Sequence, residues 1–146
     1  MRIVIYYLLL FAVIGIAVWR GGRDERWATA LCVLGTAATV LLVAPLPHRY
    51  EDVELAVALV DTAVLAGFTF IALRSDRFWP LWVAGIQLTA SVGHALKAVQ
   101  PELLPVAYGA ALAFWSYPIL LIIAVGSLRR RTILRWRAQA EVVPAE

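Results

Sequence analysis

Three ionisable side chains stand inside otherwise apolar runs of membrane length: Asp61, His94 and, nearer a segment end, Lys97. A carboxylate at mid-span costs about 2.5 to 3.5 kcal/mol on insertion scales, so its presence there marks a candidate functional site. Two chemistries fit Asp61 and His94. In one, Asp61 takes up and releases a proton or cation with His94 as its partner; in the other, the two side chains satisfy each other and fix the register of two helices. Gln87, Ser91, His94 and Lys97 follow one another at intervals of four, three and three, which places them on one stripe of a helix. Glu54 and Asp61 are seven apart and share a face that Phe68 continues.

Depth brings the two faces together. Residues 55–73 and 78–98 are expected to form antiparallel helices joined by the short polar turn Arg74-Ser75-Asp76-Arg77. At about 1.5 Å of rise per residue, Asp61 and His94 both lie roughly 20 to 24 Å from that turn. Interhelical polar contacts in membranes average only about 0.6 kcal/mol, so pairing alone is a weak reason to carry a buried carboxylate. Should Asp61 turn elsewhere, Thr36 and Thr39 of the preceding segment stand at its level. Folding back a further segment brings Tyr108 level with His94, as a sixth member of the site beside Asp61, Gln87, Ser91, His94 and Lys97. The alternative for Tyr108 is an interfacial anchoring role.

The elements that must hold this constellation follow from composition. The chain has 146 residues, of which 62% are hydrophobic and 16% charged, and its mean hydropathy is +0.80. A soluble domain carries about a quarter of charged residues. An all-α integral membrane protein is expected, a bundle of five transmembrane helices over residues 3–19, 27–44, 55–73, 78–98 and 106–128. These make one domain, 1–128, followed by a basic tail, 129–146. The first segment lacks the small-residue cleavage pattern of a signal peptide. Gly21 to Arg26 reads as a charged turn, and Pro45 and Pro47 end the second segment. Small residues at close-packing intervals, Ala63 with Gly67 and Gly85 with Thr89 and Gly93, permit near approach of helix backbones. Pro118 is expected to bend the fifth helix.

Motifs for other chemistry are not matched. The chain has no His-Glu metalloprotease pair, no Gly-x-Ser-x-Gly elbow, no phosphate-binding glycine loop and no Cys-x-x-Cys. Cys32 is the single cysteine and reads as a small packing residue, excluding an intramolecular disulfide. The acidic stretch His48 to Glu54 matches neither calcium-loop nor zinc spacing, so no metal and no cofactor is expected.

Orientation comes from the cations. With five spans, one side receives the 20–26 turn, the 74–77 turn and the tail, which together hold ten of the thirteen basic residues. The positive-inside rule then puts the N-terminus outside and the C-terminus in the cytoplasm, in a plasma membrane that the arginine-rich coding points to as bacterial. Trp19, Trp27, Trp79 and Trp82 fall near the inner interface, as an aromatic belt does. In the tail, Arg129, Arg130, Arg131, Arg135, Trp136 and Arg137 are expected to contact anionic lipid at that surface. Expected partners are therefore the bilayer and a membrane protein or a second copy of the chain, and not nucleic acid. The function expected is that of a small non-catalytic accessory or interaction subunit. The alternatives are a proton- or cation-coupled carrier or channel using Asp61 and His94, a lipid- or quinone-modifying enzyme, and a holin.

Overall fold

The computed structural model describes residues 2–42, 55–100, 114–130 and 132, all of them helical apart from two short connections and Gln100. Four helices are bounded within these residues: α1 (Arg2–Arg20), α2 (Arg23–Leu42), α3 (Leu55–Arg74) and α4 (Trp79–Val99). A fifth helical segment covers residues 114–130. The fold is all-helical, and three helices, α1, α2 and α3, are long and apolar enough to cross a membrane. α4 is of similar length but carries Gln87, Ser91, His94 and Lys97, which lower its apolarity.

α1 stops where its side chains do. The Gly21 N–H donates to the Ala17 carbonyl at 3.0 Å, and any Cβ at Gly21 would run into that same oxygen. α2 then begins at Arg23, a full turn before Trp27, which corrects the reading of Gly21 to Arg26 as a charged turn between helices. The cause is Glu25. Its carboxylate turns back to accept the Gly22 N–H at 2.8 Å, satisfying a donor that the start of a helix otherwise leaves open. Asp24 and Glu25 also stand in the first turn, where the helix dipole favours negative charge. At the other ends, the structure places the boundaries of α3 and α4 within one residue of those expected. The 129–146 tail is not separate from its first residue, because Arg129 and Arg130 continue the fifth helix.

Successive helices pack against each other, α1 on α2, α2 on α3 and α3 on α4. Asp24 of α2 meets Ser75 beyond the end of α3, and Tyr6 near the start of α1 meets Thr36 late in α2, so neighbours run antiparallel. The fifth segment runs parallel to α1, with Tyr6 edge-on to Tyr117 at one end and Gly22 beside Arg130 at the other. The buried core draws on every helix: Leu10 and Val13, Ala28, Phe68 and Ile71, Val83, then Ile119, Leu120 and Ile123.

Close approach between α2 and α3 rests on two glycines. A Cβ on Gly67 would stand 2.7 Å from Leu31 Cδ1, and one on Gly35 would stand 2.8 Å from Val64 Cγ2. The expected use of Gly85 as a packing point is not met, since nothing described lies within 4 Å of a Cβ built there. Gly85 lies on the outward side of α4. Outward faces are otherwise apolar: Leu8, Phe11, Leu34, Leu59, Phe70, Leu88, Phe114 and Leu121 are all at least half exposed. Apolar exposure of this kind is rare on soluble proteins.

Candidate functional site

α3 and α4 bring Asp61, Gln87 and His94 into one network. Nε2 of His94 lies 2.8 Å from Asp61 Oδ2. Nε2 of Gln87 donates to Asp61 Oδ1 at 3.3 Å and to the Asp61 backbone carbonyl at 3.4 Å. Both carboxylate oxygens are thus held by side chains of α4. With the carboxylate ionised, the imidazole N–H is the donor, since an ionised carboxylate only accepts. The side chain of His94 is 6% exposed and that of Asp61 25%. The network is sheltered rather than sealed.

The stripe of α4 turns inward as a unit. Gln87, His94 and Lys97 are buried, with Pro80, Val83 and Ala90 on the same face. Ser91 stands beside them, and its Oγ is buried without a hydrogen-bond partner. Further along α3, Phe68 is buried in the core. Of the residues expected at the site, Asp61, Gln87 and His94 are bonded together, and Ser91 and Lys97 share their face. Tyr108 lies outside the described residues. Thr36 serves elsewhere: its hydroxyl donates to the Cys32 carbonyl at 2.7 Å and is shared with the Tyr6 hydroxyl at 2.6 Å. The Tyr6 contact was not foreseen, because nothing in residue spacing ties the start of one segment to the rotation of the next.

A second polar cluster occupies the opposite end of the bundle. Glu25, 1% exposed, accepts from Arg77 Nη1 at 2.7 Å. Asp24 accepts the Ser75 hydroxyl at 2.7 Å, and Ser75 Oγ in turn accepts the Arg77 N–H at 3.3 Å. The α1–α2 turn is thereby tied to the α3–α4 turn. Arg20, Arg23, Arg26, Arg74, Arg77, Arg129 and Arg130 all stand at this end, whereas Lys97 lies toward the other. Trp19, Trp27 and Trp82 are exposed here, and Trp79 is half-buried with its ring over Gly126. Of the expected lipid-facing residues, Arg129 and Arg130 are described; Arg131, Arg135, Trp136 and Arg137 lie outside the described residues. Among the described residues, no group of three or more His, Cys, Asp or Glu is placed to hold a metal ion.

Comparison with protein-family models, with curated proteins and with solved structures finds no match to this chain. What defines its class is the all-helical fold with three helices able to cross a membrane.

Proposed function

We propose that the chain is a bacterial inner-membrane protein of five spans, N-terminus outside and C-terminus in the cytoplasm, that serves as a non-catalytic subunit of a membrane assembly. In this reading, the Asp61-Gln87-His94 network is a clamp between α3 and α4. One observation carries it: both oxygens of the Asp61 carboxylate are taken up by α4 side chains, leaving the group committed to its neighbours. The apolar belt supports membrane burial, and the gathering of arginines at one end supports the orientation. Residues 78–98 and 106–128 supply the two further spans. α4 crosses with its polar stripe turned inward against α3, which spares Gln87 and His94 contact with lipid.

Mild solubilisation of the tagged full chain from its native membrane tests the subunit role. A partner protein or second copy is expected to stay bound in fixed ratio through purification. Recovery of the chain as an isolated monomer contradicts the role.

A second reading has its own observation. The unpartnered Ser91 hydroxyl beside His94 is a place for a water or an ion, and with it the stripe resembles the lining of a path. Asp61 then acts as the group that loads and unloads a proton or cation in a coupled carrier. Flux in liposomes that depends on Asp61 separates the two readings.

A further inference from the structure

Where α1 turns into α2, an open cleft of about 520 Å³ has the buried Gly21 and Gly22 at its base and Arg23, Arg26, Trp27 and Arg130 around it. Cations outnumber carboxylates around it. Asp24 bonds to Ser75, and Glu25, whose Oε2 accepts the Gly22 N–H at the base of the cleft, is shared with Arg77. Among the described residues, no carboxylate pairs with Arg23, Arg26 or Arg130. Arg130 reaches the cleft because residue 22 has no side chain: a Cβ there would stand 2.7 Å from its Nε and 2.9 Å from its Cζ.

These guanidiniums also have donors to spare. Arg26 spends one N–H on the Val18 carbonyl at 3.0 Å, and among the described residues Arg130 makes a long contact, 3.5 Å, to the Gly21 carbonyl. Each guanidinium carries five N–H donors in a fork that matches phosphate oxygens. The cleft has an apolar continuation. Trp27, Leu34 and Leu41 recur at seven-residue intervals and are 63%, 66% and 83% exposed, so a strip of α2 leads from the arginines along the helix.

We propose that this cleft is a headgroup site for an anionic glycerophospholipid: Arg23, Arg26 and Arg130 hold the phosphate, Trp27 lies at the headgroup level, and an acyl chain follows Leu34 and Leu41. The apolar strip is what favours a lipid over free phosphate, whose recognition needs the arginines alone. The site rests on the membrane reading and adds to it a defined lipid contact built from the first turn of α2 together with Arg130.

Native mass spectrometry of the full chain in mild detergent tests it, with dioleoylphosphatidylglycerol, dioleoylphosphatidylcholine and inorganic phosphate as probes. One phosphatidylglycerol per chain should be retained in preference to phosphatidylcholine. Arg26→Gln and Arg130→Gln should each lower its occupancy about fivefold, the effect of one basic side chain at an anionic surface. Arg74→Gln is the control. It removes a charge from the same end of the bundle, where Arg74 stacks on Phe70, yet it lines no part of the cleft and should change nothing. Should Arg130→Gln lose helical content, the exposed Arg23→Gln gives the same reading.

An equal loss for Arg74→Gln overturns the site. Displacement of the lipid by inorganic phosphate at matching concentration reassigns it to a soluble phosphate and overturns the lipid proposal. Membrane residence is read separately, by resistance of the chain to alkaline carbonate extraction. A chain released by carbonate contradicts the membrane reading whatever the detergent measurement shows.

Discussion

Asp61 of α3 and His94 of α4, thirty-three residues apart in sequence, meet at 2.8 Å, and Gln87 holds the other oxygen of the same carboxylate. Removing the carboxylate therefore frees two donors on a neighbouring helix at once. Asp61→Leu should cost roughly 1 to 2 kcal/mol, the model-peptide scale for interhelical polar contacts in lipid. Asp61→Asn should keep most of that stability, since an amide oxygen still accepts from either donor. Reversible unfolding in mixed micelles measures both, and an Asn variant as unstable as the Leu variant contradicts the clamp.

At the opposite end, Glu25 is 1% exposed and holds both Arg77 and the Gly22 N–H. A double-mutant cycle with Glu25→Gln and Arg77→Gln should return a coupling between about 0.5 and 3 kcal/mol, the range for residues in one hydrogen-bonded network. Exposed ion pairs give less, about 0.2 to 1 kcal/mol. Coupling near zero would mean that the two turns are not tied through this pair.

The glycines should rank by what stands opposite them. Gly85→Ala meets open space and should be neutral or stabilising by up to about 1 kcal/mol, the helix-propensity difference. Gly67→Ala presses on the terminal methyls of Leu31, which can swing aside at small cost. Gly35→Ala presses on Val64, whose branched side chain has one strongly preferred rotamer in a helix, and should cost the most, about 1 to 3 kcal/mol. Melting of the three purified variants tests the order.

These contrasts also mark what the sequence made legible. Asp61 and His94 were found because a short turn fixes depth and the four-three-three spacing of Gln87, Ser91, His94 and Lys97 fixes the face. Rotation about the helix axis was harder to read. The Gly85-Thr89-Gly93 spacing shows that one side of α4 is narrow and says nothing about which neighbour it faces, and among the described residues nothing approaches Gly85. The start of α2 was missed for a related reason. Arg23-Asp24-Glu25-Arg26 has the composition of a solvated turn, yet the Glu25 carboxylate is held by the Gly22 N–H and by Arg77, fifty-two residues beyond it.

Orientation has a direct reading in side-chain access. With Cys32 replaced by Ala, Gln100→Cys at the exposed end of α4 should react with an impermeant maleimide in intact cells. Asp76→Cys, exposed in the α3–α4 turn, should react only after the membrane is opened. The reverse pattern would invert the proposed orientation.

In the proposed clamp, the Asp61 carboxylate holds two helices together and carries no traffic. Proton flux in liposomes reconstituted with the full chain, under an imposed pH gradient, tests this most directly. Wild type and Asp61→Asn should both match protein-free liposomes. A wild-type flux that Asp61→Asn abolishes, in a variant that still folds, would contradict the clamp and establish the carrier in its place.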